Sequence, residues 1–113
     1  MLVIRDEQLA VLAGALDRRF FDELAQWARA TLWEQMLGRS PADVHAEVSA
    51  VAQRAIGYGV KRESDVRTFV DLEYTHGPRF EDKFHFARAV FEDATLPGSA
   101  KVALVQQRIE SSR

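Results

Sequence analysis

Apolar residues recur at spacings of three and four along most of the chain, and the interruptions fall at residues that start or stop helices. Leu9, Leu12, Leu16, Phe20, Leu24 and Trp27 form one row, and Phe21, Ala25, Ala28, Leu32 and Met36 form a second beside it. Two adjacent rows make a face wider than a one-sided surface helix needs. The pattern therefore predicts a long first helix at the centre of the core, packed between the second and third helices. Asp6 is its predicted cap, because a carboxylate there accepts from free backbone N–H groups and favours the positive end of the helix dipole. Gly14 is its weak point, costing about 1 kcal/mol relative to alanine in a helix interior, and Gly38 is its stop.

Ser40, Pro41 and Asp43 give the clearest start in the chain: a hydroxyl cap, a proline at the first helical position and an acid in the first turn. Val44, Val48, Val51, Ala55 and Ile56 make the stripe of this second helix, which Gly57-Tyr58-Gly59 ends. A third helix is predicted from Glu63-Ser64-Asp65 through Val66, Phe69, Val70 and Tyr74, closed by His76-Gly77-Pro78. A short fourth is entered from Glu81-Asp82 and carries Phe84, Ala87, Val90 and Phe91. The last follows Leu96-Pro97, with Val102, Val105 and Ile109 on one face, Leu104 beside them and a polar fringe from Glu110 to Arg113. Strand propensity is confined to Leu2-Val3-Ile4. The expected fold is all-α, a single-domain bundle of about five helices spanning residues 1–113, with the last helix closing the core.

With 113 residues, 47% of them hydrophobic, the chain has the length and composition of one globular domain. Cysteine is absent, which removes disulfides, thiol nucleophiles and thiolate metal sites. Its 15 basic and 17 acidic residues are interleaved, giving a net charge of -2 and no field that would draw nucleic acid. Arg18, Arg19 and Arg29 flank aromatic residues, but Phe20 and Trp27 fall on the core row, and Asp17, Asp22 and Glu23 dilute the positive charge. Charge arrives at Arg5, too early for a secretory signal, and no apolar run reaches the roughly 18 residues that span a bilayer. The expectation is a cytoplasmic protein with no nucleic-acid or membrane partner.

Candidate chemistry is sparse. The three histidines, His45, His76 and His85, show no paired metal-ligand spacing. His76, Asp82 and His85 could be gathered in space, since imidazole and carboxylate suit zinc or iron, but solvated histidines are the commoner case and His45 is read as one. No G-x-S-x-G elbow exposes a serine, and Ser40 is better used as a cap. Asp71 with Glu73, and Glu81 with Asp82, stand one or two residues apart and diverge on a helix, so they are read as solvating a face or balancing Arg67, Arg79 and Lys83. No catalytic, metal or cofactor set is predicted. Trp33 and Tyr58 have no evident place in the core rows, and aromatic residues of this kind are enriched where partners meet, although folding of Trp33 against the turn before Ser40 is an equal alternative. Tyr74 is read as core.

Gln53-Arg54-Ala55-Ile56-Gly57-Tyr58-Gly59-Val60, continuing through Glu63-Ser64-Asp65-Val66 to Phe69-Val70-Asp71-Leu72, resembles a family of small bacterial proteins encoded beside type VI secretion genes, among spike proteins and effectors. Val3-Ile4-Arg5 with Gln8, and the turn from Gly77 to Phe80, are similar too. Leu32-Trp33-Glu34-Gln35 stands where that family usually has a Phe-Pro-Glu-Gln type of turn, and Arg62 stands at the expected cap of the third helix. The resemblance implies a cytoplasmic accessory role in loading, shielding or neutralising a secreted toxin, and it brings no catalytic residues. The resulting expectation is a non-enzymatic chaperone, adaptor or immunity-like protein that binds a secreted effector or spike protein through exposed apolar area at Trp33, Met36, Leu37 and Tyr58, with self-association as a further possibility. The alternative is a small enzyme or toxin with a site near Tyr74, His76, Asp82 and His85.

Overall fold

The computed structural model describes residues 18–111, and within them the fold is all-α. The elements are α1 (Arg18–Thr31), α2 (Pro41–Gly57), α3 (Glu63–His76), α4 (Phe80–Lys83), α5 (His85–Phe91) and α6 (Gly98–Ser111). The predicted cap at Asp6, the weak point at Gly14 and the strand-like Leu2-Val3-Ile4 lie outside the described residues. Among those described, no helix is long and apolar enough to cross a membrane.

Helix ends follow local chemistry. The Asp43 backbone N–H donates to Ser40 Oγ at 3.1 Å, with Pro41 at the first helical position. At the other end of α2, the Gly59 N–H reaches the Ile56 carbonyl at 2.9 Å and the Val60 N–H reaches the Ala55 carbonyl at 3.1 Å. Gly59 sits at φ +94°, so this pair of bonds forms a Schellman motif, with Val60 fully buried as its apolar partner. Arg62 occupies the N-cap of α3 and its side chain makes no capping bond.

Two predicted helices differ from expectation. The first ends at Thr31 and gives way to turns, in which Gln35 bonds to Leu32 and Met36 to Trp33 through i→i−3 hydrogen bonds. These turns keep Leu32 and Met36 on the core side, so the apolar period persists where the helix does not. The predicted fourth helix is two pieces, broken at Phe84 in an extended conformation (φ −114°, ψ 99°). The break lets Phe80, Glu81, Ala87 and Phe91 all turn inward.

Only the part of the predicted first helix from Arg18 onward lies within the described residues. Among the described residues α1 packs on α2, and it is α2 that lies between α1 and α3. α6 closes the core as expected, packing on α3 and α5. The core centres on Phe69, whose ring meets Phe80 and Phe91 edge-on, each at 5.1 Å, while Tyr58 stacks on Phe91 at 5.2 Å.

Gly98 marks the tightest approach, for a Cβ there would lie 2.7 Å from Val60 Cα and collide with the Gly59 carbonyl. At Gly57 the same atom would meet open space. Gly98→Ala should therefore lower stability by about 1–3 kcal/mol in urea denaturation through overpacking. Gly57→Ala should raise it by about 0.5–1 kcal/mol by stiffening the unfolded chain.

Candidate functional site

The apolar stripes of α2 and α3 each contain a charged residue at a core-facing position. Arg54 lies between Val51 and Tyr58, at spacings of three and four, and Glu73 continues the Val66, Phe69, Val70 row. Both point inward, and Glu81 from α4 meets them. Glu81 is fully buried and Glu73 is 8% exposed. Arg54 donates from Nε to Glu81 Oε2 at 2.8 Å and from Nη2 to Glu81 Oε1 at 3.1 Å. The same Nη2 donates to Glu73 Oε1 at 2.5 Å. The Tyr58 hydroxyl donates to Glu81 Oε2 at 2.9 Å, and the Arg79 backbone N–H donates to Glu73 Oε1 at 3.1 Å. The guanidinium carbon also stands 5.4 Å over the Phe69 ring, adding a cation–π contact.

Burial disfavours ionisation of Glu81, but the hydrogen bonds from Arg54 and Tyr58 and the charge of Arg54 outweigh it, holding this carboxyl below its usual range. Burial likewise opposes the charge on Arg54, and the bonds to Glu81 and Glu73 reverse that and raise its pKa. The Tyr58 hydroxyl is pushed up by burial and by its bond to Glu81. The network also accounts for a backbone feature. Arg79, the one non-glycine residue at positive φ among those described (φ +54°), is held there by its N–H bond to Glu73.

On the solvent side of this network lies a cleft of about 520 Å³ between α2, α3 and the turn after α1. Ala50 and Val51 give it apolar area, Tyr74 forms a wall, Arg54 and Glu73 line it, and Gln35 and Arg39 come from the turn. Arg39 is ion-paired with Glu47, which also accepts from the Tyr74 hydroxyl at 3.1 Å. Burial and the Glu47 carboxylate drive the Tyr74 hydroxyl well above its usual range. The turn that supplies Gln35 and Arg39 also carries Trp33, 57% exposed, and Leu37, 70% exposed.

The expected partner-binding residues thus separate. Trp33 and Leu37 are exposed together on one turn. Met36 is buried at 6% exposure, because the i→i−3 turn directs it beside Leu32 into the core. Tyr58 is half-buried, engaged with Glu81 and Phe91, and lines a different cleft.

The residues of the alternative site do not converge. His76 packs against Phe84 and His85 against Phe86, while Asp82 pairs with Arg88 at 2.7 Å. Among the described residues no group of three or more His, Asp or Glu side chains could hold a metal ion. His45, read as solvated, has a half-exposed side chain that also places Nε2 2.8 Å from Asp22 Oδ1 and bridges α2 to α1. Glu73 and Glu81, read as solvating a face, are the buried acids of the network. The overlooked signal was a charge standing in an apolar row.

No protein-family model, curated protein or solved structure matches the chain. The geometry of the site therefore carries the functional reading.

Because the pKa of Glu81 is lower folded than unfolded, its contribution is complete above its ordinary value of 4.5 and disappears as pH falls below that, through the folded value. Glu81→Gln should cost about 3 kcal/mol at pH 7 by breaking a buried pair. It should also flatten the fall in stability below pH 4.5. Denaturant titrations at stepped pH measure both effects.

Proposed function

We propose that this chain is a non-enzymatic accessory protein of a bacterial type VI secretion system, holding an effector or spike component in the cytoplasm. The docking site is the turn bearing Trp33 and Leu37 together with the adjoining cleft. One observation carries the reading: a tryptophan and a leucine, 57% and 70% exposed, sit on a turn whose neighbours Leu32 and Met36 are anchored in the core. Large apolar side chains held outward in this way present contact area that needs little further ordering on binding.

The cleft beside them adds polar groups that could fix the register of a bound segment. An amphipathic helix laying its apolar face across Trp33 and Leu37 suits this arrangement, with Gln35 and the Arg39–Glu47 pair placed to meet its polar edge. The family resemblance, whose main stretch covers the end of α2 and most of α3, supplies the class of partner. It includes Arg54 and Tyr58, two members of the buried network, and Arg54 also lines the cleft.

Trp33→Ala combined with Leu37→Ala should abolish copurification with the coexpressed spike or effector, since loss of a central tryptophan alone removes about 2 kcal/mol or more, roughly thirtyfold in affinity. Helicity should be unchanged. Leu104→Ala, which removes an exposed leucine from α6, should retain the partner. Undiminished capture by the double variant would refute the assignment.

A further inference from the structure

A second cleft, of about 610 Å³, opens where the end of α2 meets the connection between α5 and α6. Lys101 lines it and is only 5% exposed. Its ammonium donates to the Tyr58 carbonyl at 2.6 Å and to the Phe91 carbonyl at 2.8 Å. These carbonyls belong to the C-cap of α2 and the last residue of α5, so the negative ends of two helices help the charge tolerate burial. They provide partial charges only, and an ammonium has three donors to place.

What is missing is a counter-ion. Lys101 forms no ion pair among the described residues. The acids that follow α5 are engaged elsewhere. Glu92 lines the cleft too, but its charge is balanced by Arg88, from which it accepts at 2.9 Å, and Asp93 accepts from the Thr95 N–H at 2.9 Å and from its hydroxyl at 2.6 Å. Those bonds, with a smaller contribution from Lys101, hold the Asp93 carboxyl below its usual range. Buried charges are ordinarily paired, and this one is left with a side open to a cleft. Lys61, exposed and likewise without an ion pair among the described residues, lines the same cleft. Gly98 brings the amide-rich start of a 14-residue helix to its wall.

We propose that this cleft binds an oxyanion, a carboxylate or phosphate carried by a small organic ligand, with Lys101 as its buried counter-charge and Lys61 as its rim. The volume falls within the range of about 300–1,000 Å³ typical of small-ligand sites, and Leu96 and Pro97 give the ligand's carbon skeleton an apolar wall. This site is separate from the Trp33–Leu37 turn and stands independently of the docking reading.

The test is an amide chemical-shift titration of the intact chain with inorganic phosphate and, separately, acetate, at ionic strength held constant with sodium chloride. Saturable shifts at Gly59, Gly98 and Ser99 are expected with at least one oxyanion, and the arm that saturates identifies the chemistry. Lys101→Met should remove saturation. Lys61→Glu, a change at an exposed position that leaves the core intact, should weaken binding roughly fivefold or more. It provides the decision if Lys101→Met fails to fold. Linear shifts in both arms, equal saturation by chloride, or affinity unchanged in Lys61→Glu would overturn the proposal.

Discussion

One guanidinium shared by two buried carboxylates is the constraint on which the rest of this structure depends. Arg54 leaves the last turn of α2, and its partners come from the last turn of α3 and from α4, so none of the three segments can adopt its final position alone. Two acids and one base leave a net negative charge in a region of low dielectric. The Tyr58 hydroxyl and the Arg79 amide supply the additional donors that make this tolerable. The aromatic cluster around Phe69 then shields the inner side of the network, around Glu81, from water.

The same network positions the surfaces assigned to function. Its outer side, Arg54 and Glu73, forms part of the cleft between α2 and α3, and the turn bearing Trp33 and Leu37 borders that cleft through Gln35 and Arg39. Its other end reaches Tyr58, whose carbonyl receives the buried Lys101 ammonium. One residue therefore connects the ion-pair network to the second cleft. Tyr58 looked like an interface aromatic in the sequence because it stands between glycines. In the fold it joins two polar arrangements, one by its hydroxyl and one by its carbonyl.

Much of the architecture was legible because it is encoded locally. Ser40-Pro41 and Gly57-Tyr58-Gly59 bound α2 through contacts within a few residues, and the apolar stripes of α2, α3 and α6 correspond to buried side chains. What was not legible depends on partners distant in sequence. Arg54 lies 19 residues from Glu73 and 27 from Glu81, and no local pattern announces such a pairing. Periodicity also cannot distinguish a helix from successive tight turns, which is why the first helix was extended past Thr31. Met36 illustrates the limit. It belonged both to an apolar row and to the expected docking set, and burial decides for the row. The order of packing, with α2 between α1 and α3, is a tertiary choice that two adjacent apolar rows on the first helix do not determine.

The most direct test of the central claim compares Arg54→Met with Arg88→Met in urea denaturation at neutral pH. Arg54 is half-buried between two buried acids, whereas Arg88 pairs with Asp82 and Glu92 at the surface. If the buried cluster organises the fold, Arg54→Met should lose about 3–5 kcal/mol and Arg88→Met less than about 1 kcal/mol. Equal, small losses would show that apolar packing alone assembles α2, α3 and α4, and that the guanidinium is incidental.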